Sequence, residues 1–294
     1  MSLIIIAGVV AALATTAYGA RGRILNALTS RSGYTQQRDL SYGPETRQKL
    51  DLYRPETDAA NAPLIVFFYG GNWSDGSRDF YRFVAQPFAS RGFIVAIPDY
   101  RLFPEVTFPA FVEDGARAVA YLWRTERKPD GSPRQIILMG HSAGAQIAAL
   151  LALDERYLKE AGLPAHAVVA TVGMSGPYDF LPLTEARHEA VFPAATRASS
   201  QPIAFADGRE ASMLVMTGDA DRTVSPGNSR RLAARIKQKG GEVTLKTYPG
   251  VGHLGMILAL AAVIPFGKPP ALDDILAFLA AHTGEGATSR SDSG

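Results

Sequence analysis

The 294-residue chain contains no cysteine. That absence removes disulfides, zinc–thiolate sites and a thiol nucleophile together, and leaves the compartment open. There is also little charge imbalance: the formal net charge is +2, and the arginines behind a pI of about 8.8 are scattered along the chain. No basic run with interleaved aromatics occurs, so nucleic acid is not an expected partner. No internal repeat and no clear linker interrupts the sequence, so one large domain is the economical reading. Hydrophobic residues make up 47% of the chain, enough for a sizeable core.

Charge is missing altogether from the N-terminus, where the first charged side chain is Arg21. Within that stretch, residues 3–14 (LIIIAGVVAALA) are apolar. Three readings compete. A secretory signal has this core length and a small-residue exit at Ala17-Tyr18-Gly19, but it should open with lysine or arginine. An uncleaved anchor fits because Ser2 to Ala20 just reaches spanning length. Arg21 and Arg23 would then favour a cytoplasmic catalytic domain. A core helix is the third reading. Export or membrane attachment is the expectation, with residues 1–33 as signal or anchor plus linker, 34–283 as the folded domain, and 284–294 (GEGATSRSDSG) as a disordered tail.

From Tyr34 onward, strand-like and helix-like patterns alternate. Arg38 to Tyr42 and Gln48 to Tyr53 read as antiparallel edge strands around a Gly43-Pro44 turn. The runs Leu64 to Tyr69 and Phe93 to Ile97 are continuously apolar, as strands buried on both faces are. Helices are expected over Phe80 to Ser90 and Pro109 to Arg127, the second with Phe111, Ala118, Val119 and Leu122 on one stripe. Further strands are expected at Val168 to Met174, Met213 to Thr217 and Val243 to Tyr248, and helices at Asn228 to Lys239 and Leu272 to His282. Leu254 to Ile264 is apolar on nearly every side and reads as a buried helix. This alternation predicts an α/β fold: a mainly parallel sheet of about eight strands with helices on both faces.

The stretch around which the rest is organised is Gln135 to Leu151. The apolar run Ile136 to Met139 breaks at Gly140, and an alanine-rich helical pattern starts two residues later. Between them lies Gly140-His141-Ser142-Ala143-Gly144. A serine in a tight strand-to-helix turn has its neighbours two positions away packed against it, so those positions must be small. The turn lifts the hydroxyl above the sheet and aims the helix N-terminus at any negative charge forming there.

Reactive groups in open parallel sheets collect at the carboxyl ends of the strands. Ser142, Asp219, Asp221 and His253 all fall just past strand ends. His141 should point away from the serine hydroxyl, while His166, His188 and His282 are badly placed. A neutral hydroxyl is a poor nucleophile, and a histidine, with an ordinary pKa of about 6.5, can take its proton near neutral pH. A carboxylate then fixes the imidazole tautomer, a role that pattern alone allows to either aspartate. Donors for an oxyanion are expected from the backbone N–H of Ala143 and from the Gly70-Gly71-Asn72 loop.

These motifs resemble the α/β-hydrolases, and more narrowly the carboxylesterases grouped with bifunctional acetyl/feruloyl esterases and kynurenine formamidase. The resemblance rests on Tyr69-Gly70-Gly71-Asn72-Trp73, Pro98-Asp99-Tyr100-Arg101, the Gly140–Gly144 elbow, Gly218 to Val224, and Gly252-His253. It implies Ser142 as nucleophile, Asp221 as acid with Asp219 as runner-up, and His253 as base. It also implies an oxyanion hole from Ala143, Gly71 and Asn72, no cofactor, and no metal. The main departure is Tyr69, where the family loop carries a histidine that braces it. Asp99 and Arg101 are expected to be structural. The segment Gly176 to Ala211 is where such folds insert a lid, here a small one. Trp73, Phe103, Tyr178, Phe180 and Leu254 are candidate pocket walls, each with ordinary core packing as the alternative. The expected activity is hydrolysis of short- to medium-chain esters, a small-molecule substrate. The alternatives are amide or formamide cleavage and a silent membrane-associated binding protein.

Overall fold

The structure, a computed structural model, describes residues 18–57, 59–164, 167–264 and 267–283. The apolar stretch before Ala17, His166 and the tail from Gly284 lie outside the described residues.

Eight strands form one sheet: β1 (Tyr34–Ser41), β2 (Lys49–Pro55), β3 (Leu64–Phe68), β4 (Ile94–Pro98), β5 (Ile136–His141), β6 (Val168–Met174), β7 (Met213–Gly218) and β8 (Val243–Tyr248). Their order is β1-β2-β4-β3-β5-β6-β7-β8. The pairs from β4 through β8 are parallel, whereas β2 runs antiparallel to both β1 and β4. Only the first of the two expected edge strands is therefore an edge. β2 is interior, and four consecutive residues from Leu50 to Tyr53 are buried in it, while β1 is mostly exposed. Every residue of β3, β4 and β5 is buried, as their continuous apolar runs require when helices cover both faces.

The helices are α1 (Tyr18–Leu28), α2 (Arg82–Ala89), α3 (Ala110–Thr125), α4 (Ala143–Leu153), α5 (Glu155–Glu160), α6 (Ala186–Val191), α7 (Gly227–Gln238), α8 (His253–Leu258) and α9 (Ala271–Thr283). α4 is buried almost all round, and α3 packs on it so closely that a Cβ at Gly115 would lie 3.1 Å from Ile147. The apolar stretch after His253 is helical only to Leu258. The N–H groups of Leu260 and Ala261 bond back to Ile257 and Leu258, which tightens the chain into a turn where a longer helix was expected. α1 is fastened to the domain through Asn26, whose side chain donates to the Asp79 carbonyl and accepts from the Phe83 N–H. Among the described residues no helix is long and apolar enough to cross a membrane.

Candidate active site

The elbow forms because β5 ends against α4 with no room for side chains beside the turn. A Cβ on Gly140 would come within 2.2 Å of the Gly144 carbonyl oxygen, and one on Gly144 within 2.1 Å of the Phe68 oxygen. Between them Ser142 takes φ 56° and ψ −126°, an unfavourable backbone for any residue with a side chain. Its N–H is held by the Met174 carbonyl at 2.9 Å, and its carbonyl accepts the first bonds of α4 from Ala145 and Gln146.

Three of the expected residues meet here. The Ser142 hydroxyl donates to His253 Nε2 at 2.9 Å, and His253 Nδ1–H donates to Asp221 Oδ2 at 2.8 Å. Ser142 is 7% exposed and Asp221 5%, so the chain of hydrogen bonds is sheltered from bulk water. The other Asp221 oxygen accepts the N–H groups of Thr223 and Val224, both at 2.9 Å. Burial pushes the Asp221 carboxyl up, but the bonds from His253 and Val224 outweigh it and hold it below the usual carboxylate range. Asp219 is exposed and accepts the Gly250 N–H at 2.6 Å, so it shapes the turn leading to His253 and does not join the hydrogen-bond chain.

The loop after β3 lies over the serine. A Cβ at Gly70 would sit 2.8 Å from the Ser142 Cβ, and Gly71 has φ +138°, so neither position tolerates a side chain. Asn72 and Trp73 follow at φ 52° and 56°. Among the described residues, the N–H groups of Asn72 and Ala143 make no hydrogen bond, which leaves them free for an acceptor between loop and helix.

Tyr69 braces this loop. Its hydroxyl donates to Asp99 Oδ1 at 2.5 Å and accepts from Arg47 Nη2 at 3.0 Å. Its ring stacks between Tyr81 and Tyr100, at 5.2 and 4.9 Å. Arg78, buried and absent from the sequence reading, ties the same Asp99 to Asp51. Arg101 grips Asp114 with two parallel bonds of 2.9 and 2.8 Å. Asp99 and Arg101 thus sit behind the loop as scaffold, as expected.

The pocket-wall candidates separate. Tyr178 is fully buried against Gly173 and Gly176 beneath the sheet end, and it cannot face an open pocket. Trp73 is 4% exposed and packs among Phe111, Phe180 and Phe192. Phe180 and Phe103 remain half-buried at its side. Leu254 lines a narrow apolar cleft with Leu25, Phe80, Tyr81 and Phe83, between α8 and α1. The segment 176–211 is a small lid: α6, then two short 3-10 turns at Arg197–Ser200 and Pro202–Phe205. No cluster of metal-ligating side chains occurs among the described residues.

Known proteins resemble this chain in sequence and fold. The sequence profile of the BD-FAE family matches residues 50–236, well over half of the chain. The isoprenylcysteine alpha-carbonyl methylesterase of Arabidopsis thaliana is 27% identical over 277 residues, 87% of this chain and 64% of that protein. Kynurenine formamidase of Danio rerio is 32% identical over 113 residues, covering 38% of this chain and 37% of that one. The chain spans only 57% to 64% of the length of the three methylesterase relatives that it matches most broadly. Esterase B of Lactobacillus rhamnosis, solved with a tributyrin phosphonate inhibitor, superposes with a TM-score of 0.75 at 20% identity over 96% of this chain and 95% of that one. The profile match takes in the Gly70–Trp73 loop, the elbow and the Asp221 turn, and by it the chain belongs to the BD-FAE family of α/β-hydrolases.

Proposed function

We propose that this chain is a serine carboxylesterase hydrolysing short- to medium-chain esters through an acyl-enzyme, with Ser142 as nucleophile, His253 as base and Asp221 as acid. One observation carries the reading: an unbroken hydrogen-bond chain from Ser142 through His253 to Asp221, with two unpaired backbone N–H groups beside its serine end. In the first half-reaction the Ser142 oxygen bonds to the ester carbonyl carbon while His253 Nε2 takes its proton. The carbonyl oxygen becomes an oxyanion and accepts from Ala143 and Asn72, with Gly71 alongside. The tetrahedral adduct collapses, the C–O bond to the alcohol breaks, and the same proton leaves with the alcohol. Water repeats the cycle and frees the acid. Asp221, held ionised, keeps the His253 proton on Nδ1 and stabilises the imidazolium.

Short esters suit the small lid and the buried state of Trp73 and Tyr178, which leave little apolar wall for a long chain. The shorter match to a kynurenine formamidase favours formamide cleavage as the second reading. Export or membrane attachment through the apolar N-terminal stretch belongs to the same proposal, and fractionation of the full chain tests it. The decisive experiment runs p-nitrophenyl esters beside a feruloyl ester and N-formylkynurenine, with wild type and Ser142→Ala. Ester turnover lost by about 10⁴-fold or more in the alanine variant is expected. Turnover that survives Ser142→Ala, or activity confined to N-formylkynurenine, would overturn it.

A further inference from the structure

We infer that Gln146 is a positioning residue that keeps the oxyanion loop in register with the nucleophile; the inference rests on the esterase reading of the Ser142 site. Gln146 is the only polar side chain in α4 and is fully buried. An amide placed where an apolar side chain would pack needs partners at both ends. It has them: Gln146 Oε1 accepts from Trp73 Nε1 at 3.1 Å, and its Nε2 donates to the Ser200 carbonyl at 2.9 Å. One side chain therefore ties together the oxyanion loop, the nucleophile helix and the 3-10 turn of the lid.

The loop needs such a tie. Asn72 and Trp73 both occupy left-handed backbone, which persists only where the surroundings over-determine it. Stacking on Phe111 and Phe180, with Phe192 edge-on, fixes the plane of the Trp73 ring but supplies no directional polar bond. The hydrogen bond to Gln146 sets its position along that plane. Gln146 lies in the first turn of α4, four residues after Ser142, which stands at the N-terminus of that helix. The element that presents the nucleophile thus also sets where the Asn72 N–H points. Ser200 adds the lid to this unit, beside the direct packing of Phe180 and Phe192 on Trp73 and the Arg187 bond to Ser74.

The test uses Gln146→Leu, Trp73→Phe and the double variant, assayed on the best ester of the panel and against a trifluoromethyl ketone, which forms an oxyanion on the serine. Each single variant should lose about 10- to 100-fold in kcat with KM little changed, the scale expected of a misplacement near 1 Å. Ketone affinity should fall by the same factor, because only the oxyanion feels the loop. The double variant should be no worse than the poorer single, since both remove one bond. A residue that merely fills the core would lower thermal stability without this selective loss. Wild-type kcat and ketone affinity in both single variants, or losses that multiply in the double, would overturn the inference. Should Gln146→Leu fail to fold, Trp73→Phe removes the same bond while keeping a ring. Ser142→Ala separates the two levels. If it stays active, the site assignment fails. If it is inactive while the Gln146 and Trp73 variants behave as wild type, only this inference fails.

Discussion

His141 Nε2 donates to the backbone carbonyl of His253 at 3.1 Å, and the two rings lie 4.8 Å apart. The residue beside the nucleophile thus packs against the base. His141 is fully buried and its Nδ1 has no partner among the described residues. Burial, and then the neighbouring His253, push the His141 imidazole down to about 3. Neutral His141 keeps a second positive charge out of the site when His253 becomes an imidazolium.

The first prediction follows from that burial. An unfolded histidine titrates near pH 6.5, so between about pH 3 and 6.5 the unfolded chain binds a proton that folded His141 refuses. The depressed value means stability is present above the unfolded pKa and lost as pH falls below it, with a slope of up to about 1.4 kcal/mol per pH unit. Gln at this position keeps a donor and removes the titration. Urea unfolding across this range should show a shallower acid-side decline for His141→Gln than for wild type. Equal slopes would mean that His141 titrates normally.

The two aspartates provide the second. Asp221 holds His253 Nδ1, whereas Asp219 holds the Gly250 N–H, in the turn that delivers the histidine. Asp221→Asn should lower kcat by roughly 10⁴-fold, because the amide presents the imidazole with the wrong hydrogen-bond pattern. Asp219→Asn keeps an acceptor for Gly250 and should cost far less. A reversed ranking in steady-state kinetics would shift the acid by two residues.

Tyr69 gives the third. Burial first, and Asp99 next, raise its phenol well above the ordinary value, so it is a neutral donor at any working pH. Tyr69→Phe keeps the stacking with Tyr81 and Tyr100 but strips one donor from a buried carboxylate and one acceptor from Arg47. A stability loss of about 1.5–3 kcal/mol is expected, in the range for hydrogen bonds to charged groups. Denaturant titration measures it. A neutral substitution would show that Arg78 alone is enough to satisfy Asp99.

How much of this was legible follows from which interactions are local. β3, β4 and β5 could be read directly because a strand covered on both faces has no polar positions to disguise it. Ser142 and His253 could be read because their order and strand-end placement are properties of the chain, whereas that pattern left Asp219 and Asp221 level and the family resemblance chose between them. The interior place of β2 was not, since its pairing with β4 joins residues more than forty positions apart. Tyr178 and Trp73 were ambiguous for a different reason: an aromatic beside a loop can line a pocket or fill a core, and only packing decides. Arg78 gave no signal, because a surface arginine looks the same in sequence. Gln146 did give one, a lone amide in an apolar helix one turn beyond the serine.

The fourth prediction joins pH and chain length. Only a neutral imidazole can accept the Ser142 proton, so kcat/KM should fall on the acid side. Asp221 is not the source of that limb, because its carboxyl is held below the usual range and stays ionised until the solution is more acidic still. Chain length reports the pocket. Each added methylene helps by about 0.8 kcal/mol only while there is apolar wall to bury it. With Tyr178 and Trp73 in the core and only a short lid above, the gain should end early: acetyl to hexanoyl esters preferred, and little benefit beyond about ten carbons. Measuring kcat/KM over chain length at several pH values checks both parts. Activity that climbs steadily through palmitoyl esters, with activation at lipid interfaces, would point to a lipase. If the acid limb is unmoved in a His253 variant with residual activity, another group must be the base.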